Sequence, residues 1–234
     1  MESLWTILGL GFLLGLRHAL DADHVVAVST IVAQTRNLTK AALIGIFWGA
    51  GHTATLGLVG LVVLFGKFSI PESLAQAGEL LVGIVLVLLG ATTLWRLRRR
   101  RLHLHPHRHG ALEHVHFHSH ARDLQHDHEH PQRFGWKPLL VGMTHGLAGS
   151  AALMLLVLST VRSIMGGLLY ITVFGVGSIG GMLLVSLVLG LPIVWAARSS
   201  SPVLKRAHQV ITCSAGLASL AFGLGLIAKI TYVP

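Results

Sequence analysis

Six runs of mainly apolar residues take up most of this 234-residue chain, at 4–33, 41–65, 73–95, 139–161, 164–195 and 207–230. Each holds about 20 or more residues, the length an α-helix needs to cross a hydrocarbon core of about 30 Å. None shows the strict alternation of a barrel strand. Charged residues make up 12% of the chain and the mean hydropathy is +0.69. A soluble domain carries about 25% charged residues, so too few are present here to cover a surface in water. The expected fold is all-α: a polytopic membrane protein with six transmembrane helices. The first run follows an acidic Glu2 and outlasts a signal-peptide core, so it is read as a span and not as a cleaved leader. Cys213 is the sole cysteine, which excludes an intramolecular disulfide and a cysteine-based zinc site. The net charge of +9 would suggest nucleic acid in a soluble protein. In an apolar chain it is better explained by membrane orientation, so the bilayer, and not nucleic acid, is the expected surroundings.

Between the third and fourth runs the composition changes abruptly. Residues 96–137 hold nine Lys/Arg and eleven of the sixteen histidines. The stretch is expected to form a mobile hydrophilic loop whose H-x-H runs bind divalent metal weakly and need no fold. The first, third and fifth connections carry 14 Lys/Arg, and the opposite side carries 3. Cytoplasmic loops carry the excess. Both termini therefore face outward, and the His-rich loop faces the cytoplasm from the cytoplasmic (inner) membrane.

The first three runs echo the last three. Gly15-Leu16-Arg17-His18-Ala19-Leu20 matches Gly142-Met143-Thr144-His145-Gly146-Leu147 at an offset of 127. Phe47-Trp48-Gly49-Ala50-Gly51-His52 resembles Phe174-Gly175-Val176-Gly177-Ser178, at an offset of 126 from Gly49 onward. Three spans are an odd number, so the second half must enter the membrane from the opposite side. The implied architecture is two inverted three-helix repeats, 1–98 and 137–234, joined by the loop at 99–136. Many secondary transporters are built this way, with the binding site where the repeats meet.

Ionisable groups interrupt the apolar sequence: Arg17, His18, Asp21, Asp23 and His24 in the first run, His52 in the second and His145 in the fourth. Such groups cost several kcal/mol each at mid-membrane, and they mark pathways or sites. At about 100° per residue, His18, Asp21 and His24 share one face of a straight helix, and Arg17 lies among them where it can pair with Asp21. Asp23 falls on the far side, so it joins the others only if the helix is kinked or unwound there. Imidazoles with one or two carboxylates suit borderline divalent ions such as nickel, cobalt, zinc or copper, whereas calcium and magnesium want oxygen throughout. The candidate metal set is His18, Asp21, Asp23, His24, His52 and His145. Met143 is read as packing.

The segment RHALDADH, residues 17–24, has the form H-x4-D-H and resembles the signature of the nickel/cobalt transporter family of high-affinity bacterial permeases. FWGAGHT, residues 47–53, is similar to that family's second motif. GMTHGLAGSAAL, residues 142–153, is similar to the matching region of its short branch, described as urease-accessory nickel permeases. The resemblance implies nickel or cobalt uptake across the cytoplasmic membrane. It also implies that His18, Asp21, Asp23, His24 and His52 are site residues, and that urease or hydrogenase maturation proteins are partners receiving the metal. Typical members have eight spans where six are read here. The acidic fourth-span motif of longer members is absent, with His145 in that region. The long His-rich loop is similar to that of related exporters, which makes efflux the alternative direction. A histidine-box membrane enzyme is a remote alternative, because such enzymes need denser paired histidines. No G-x4-G-K-[ST] motif is present. No catalysis and no resident cofactor are expected; Ni2+ or Co2+ is cargo.

Overall fold

The structure, a computed structural model, describes residues 4–66, 71–99, 104–109, 112–117, 135–146 and 163–232. Seven helices and two strands lie in these stretches: α1 Leu4–His18, α2 Ala22–Val32, α3 Leu38–Gly66, α4 Glu72–Arg99, β1 Leu104–His109, β2 Leu112–Phe117, α5 Trp136–His145, α6 Ile164–Arg198 and α7 Pro202–Tyr232. Among the described residues, α3, α4, α6 and α7 are long and apolar enough to cross a membrane. Large apolar side chains such as Trp5, Leu88, Val188 and Trp195 point outward, while glycines and small residues bring the helices close around a core that includes Trp48, Leu86 and Met182. That distribution suits a molecule solvated by lipid, where helices associate through small residues and close backbone contact. The chain is an integral membrane protein.

The first apolar run is two helices and not one continuous helix. α1 closes with tightened bonds, Leu20 N–H to the Arg17 carbonyl at 2.9 Å and Asp21 N–H to the His18 carbonyl at 3.1 Å. The chain turns at Ala19-Leu20-Asp21, and α2 restarts with Asp21 as its N-cap residue in an extended backbone (ψ 143°). Asp favours such a position because its short polar side chain competes for local hydrogen bonds. Here the carboxylate makes no cap bond and turns to His18 instead. The fourth run is described only as far as Gly146. Its remainder, like residues 118–134, lies outside the described residues.

Part of the loop expected to lack regular structure is a two-stranded antiparallel hairpin. Leu104 pairs with Phe117, His107 with His114 and His109 with Leu112. Alternate-residue histidine is a period-two pattern, which is the period of a strand.

α3 lies antiparallel to α6, with Gly45 meeting Met182, Gly49 meeting Ile179 and Thr53 meeting Gly175. α4 lies antiparallel to α7 through Gly83 against Gly223 and Gly90 against Gly216. α1 packs on α6, and α5 on α3. Close approaches recur in matched sets. A methyl on Gly15 would strike the Phe174 carbonyl oxygen, and one on Gly142 would strike the Trp48 carbonyl oxygen. Gly15 and Gly142 are 127 apart in sequence, and Trp48 and Phe174 are 126 apart. Gly177 against the Phe12 carbonyl matches Gly51 against the Leu139 carbonyl in the same way.

Threonine and glutamine side chains hold the half-helix α2 in place. Thr30 Oγ1 is shared between the carbonyls of Val26 (2.7 Å) and Ala215 (3.1 Å). Gln34 Nε2 donates to Thr93 Oγ1 at 2.9 Å, and Arg96 Nη1 donates to Gln34 Oε1 at 2.7 Å. The core around it joins Ala27, Val28 and Val32 to Trp48, Leu86 and Met182.

Candidate metal centre

The break after α1 explains how both aspartates reach the histidines. His18 ends α1, Asp21 opens α2, and Asp23 and His24 lie in its first turn. Carboxylates are favoured at a helix N-terminus, which is where Asp21 and Asp23 lie on α2. α3 brings His52 from its middle, and α5 brings His145 as its final residue.

Four imidazoles converge. The rings of His18, His24 and His52 are 4.8–4.9 Å apart centroid to centroid, and His145 stands 5.6 Å from His24. His18 Nε2 and His52 Nε2 are 2.8 Å apart, so one carries a proton and the other accepts it. Both present lone pairs once an ion displaces that proton. One nitrogen from each of His18, His24 and His52 lies within 4.8 Å of the others. A second group, Asp21, Asp23 and His24, meets the same criterion and shares His24 with the first.

Burial grades between the two groups. His24, His52 and His145 are fully buried and His18 nearly so, whereas the Asp21 side chain is 41% exposed and that of Asp23 16%. Asp21 Oδ2 accepts from His18 Nδ1 at 2.9 Å. Asp23 Oδ1 lies 3.3 Å from His24 Nδ1 without hydrogen-bond alignment, so neither nitrogen of His24 has a hydrogen-bond partner among the described residues. A fully buried imidazole with both nitrogens unsatisfied is costly by about 1–3 kcal/mol per group, and an ion relieves that cost.

All six residues read from the sequence lie in this cluster or against it. Arg17 does not. It is exposed, and Asp21 pairs with His18 instead. The sequence reading left out the aromatic walls. Trp48 lies 4.7 Å from His145 and 6.4 Å from His24, and Phe174 lies 5.6 Å from His18. The signal for them was their equivalent position in the repeat. Met143 is 41% exposed and lies against Gly51, as packing requires.

The family model described as high-affinity nickel-transport protein matches residues 4–200. The urease accessory protein UreH of Bacillus sp. (strain TB-90) is 40% identical over 222 residues, covering 95% of this chain and 90% of that protein. The chloroplast protein FOR GROWTH AND FERTILITY 1 of Arabidopsis thaliana is 27% identical over 233 residues, and the chain spans 59% of its length. The nickel transporter NixA of Staphylococcus aureus is 32% identical over 93 residues, 36% of this chain and 28% of that protein. No solved structure matches the chain.

Proposed function

The chain belongs to the high-affinity nickel-transport family, and from that premise we propose that it takes nickel up across the cytoplasmic membrane through the histidine cluster at the broken first helix. Its activity is transport of nickel. One observation carries the site: buried nitrogens of His18, His24 and His52, from three helices, lie within 4.8 Å of one another. Imidazole donors suit nickel, and they suit cobalt as well. His18, Asp21, Asp23, His24 and His52 hold the ion, and His145 faces it from the second half of the chain.

Uptake is supported by the site's chemistry. Deep burial and imidazole-rich coordination give the tight capture that scavenging a scarce ion needs. The graded exposure from Asp21 inward is a route of entry. The name of the UreH relative connects this reading to urease, whose maturation proteins would receive the nickel. Efflux is the second reading, favoured by the eleven histidines of 96–137.

Two inverted three-helix halves, 1–98 and 137–234, are supported by the antiparallel packing of α3 on α6 and α4 on α7 and by the matched glycine contacts. In this arrangement α1 and α2 together make the first span, broken at the site. The Lys/Arg bias supports termini outside and the 99–136 loop in the cytoplasm.

Radioactive nickel uptake into cells expressing the chain, with cobalt in competition, tests direction and selectivity together. Accumulation above the empty-vector level, reduced by excess cobalt, is expected. Faster loss of preloaded nickel would establish efflux instead.

A further inference from the structure

Hydroxyls inside these helices are routinely satisfied by the carbonyl one turn back. Thr55, Thr172 and Thr212 donate to the carbonyls of Gly51, Leu168 and His208. Ser178 on α6 departs from this pattern: it is fully buried, and its Oγ has no hydrogen-bond partner among the described residues. At about 100° per residue it falls between the face α6 gives to α1 (Gly177, Gly181) and the face it gives to α3 (Gly175, Ile179). Its backbone nitrogen is 2.9 Å from where a methyl on Gly15 would sit, one turn before His18. Phe174, one turn earlier on α6, has its ring against His18. Ser178 therefore sits in the wedge where α1 and α3 bring His18 and His52 together.

His145 also has an unsatisfied atom. Its Nδ1 is held 2.9 Å from the Val141 carbonyl, while its buried Nε2 has no partner among the described residues. Repeat offsets of 127 and 126 make His145 the equivalent of His18 and Ser178 the equivalent of His52. The ring contact of His145 with Trp48 is likewise the equivalent of that of His18 with Phe174. His145 and Ser178 are thus the sequence counterparts of the His18–His52 pair, and among the described residues His145 Nε2 and Ser178 Oγ both lack a hydrogen-bond partner.

We propose that His145 Nε2 and Ser178 Oγ form a second, weaker station for the nickel ion, which receives it from His18, His24 and His52. This rests on the uptake site argued above. A neutral hydroxyl is a poorer ligand for nickel than the imidazole it replaces. Conduction needs a place that binds well enough to enter and loosely enough to leave. His24, 5.6 Å from His145, belongs to the first station and adjoins the second.

The test uses full-length protein in lipid nanodiscs, with Cys213→Ser removing the native thiol and one equivalent of Ni2+ as the probe, so that the weaker loop histidines stay empty. Ser178→Cys puts a soft, near-isosteric donor at the second station. Nickel should then give a thiolate-to-metal charge-transfer band that disappears on adding His145→Ala. Ser186→Cys should give none. Ser186 is equally buried and equally lacks a hydrogen-bond partner among the described residues, but it lies against Gly45 on α3. Nickel bound to the Ser178→Cys protein without such a band overturns the proposal. Should that variant fail to insert, Ser178→Ala in proteoliposomes decides. Turnover about tenfold lower with an unchanged nickel affinity supports the second station, and wild-type turnover overturns it. His52→Ala, run in parallel, separates the two levels. If it binds nickel as tightly as wild type, the first site falls and the second with it; if it loses nickel while Ser178→Ala transports normally, only the second falls.

Discussion

The α4–α7 pair and the group formed by α1, α2, α3, α5 and α6 are built from the same glycine-rich apolar sequence, yet they treat polar atoms in opposite ways. Between α4 and α7 the helices are unbroken, Gly90 and Gly216 admit close contact, and Ser219 Oγ donates to the Leu86 carbonyl at 2.8 Å. In the other group a helix is broken, four imidazoles are buried, and His24 leaves both nitrogens unsatisfied among the described residues. A lipid-solvated scaffold satisfies its polar groups internally because lipid offers no substitute. Among the described residues, the region that buries imidazole nitrogens without hydrogen-bond partners is the one proposed to bind the ion. Small residues alone mark packing, whereas small residues around a break with unpaired donors mark the path.

The largest effect that would test this contrast is expected at His24, which belongs to both ligand groups. His24→Ala should lower nickel uptake by about 100-fold or more while the amount of membrane-inserted protein stays near wild type. Uptake within a fewfold of wild type would erase the distinction between the two regions.

A packing change in the scaffold should do the reverse. A methyl at Gly90 would lie 2.6 Å from the Gly216 carbonyl oxygen, and overpacking of this kind costs about 1–3 kcal/mol. Gly90→Val should reduce folded protein, read by detergent-solubilised yield and thermal aggregation. The surviving molecules should take up nickel with an unchanged half-saturation.

A smaller effect is expected from deleting residues 103–130. The stretch adds little apolar surface to a membrane core, so insertion should be intact and uptake should fall only severalfold, mostly at low nickel. Complete loss in a well-inserted deletion would put the loop on the path. The smallest effect belongs to Lys229, 3.9 Å from Glu79 and 68% exposed. Exposed ion pairs contribute about 0–1 kcal/mol, so Lys229→Ala should leave both yield and uptake unchanged.

Much of the site was legible because chemistry and spacing coincide. Ionisable residues in apolar runs are costly wherever they lie, so His18, Asp21, Asp23, His24, His52 and His145 could be singled out without coordinates. The break at Ala19-Leu20-Asp21 was legible only as a condition: Asp23 could join the set if the helix unwound. Hydropathy alone reads 4–33 as one span, since a three-residue turn barely alters a run of that length. Spacing put both His18 and Arg17 within reach of Asp21, and the tertiary structure gives it to His18. Trp48 and Phe174 meet the histidines through tertiary contacts with residues distant in sequence, which spacing along the chain does not display. The hairpin follows the period-two histidine pattern, which the polar, proline-containing composition of the loop obscures.

Nickel K-edge X-ray absorption tests the central claim most directly. The protein would lack residues 103–130, so that loop histidines cannot contribute, and would be loaded with one equivalent of nickel. At least three imidazoles in the nickel shell are predicted, with loss of that signal in His18→Ala, His24→Ala and His52→Ala alike. An all-oxygen shell, or an imidazole signal that survives all three replacements, would contradict the account.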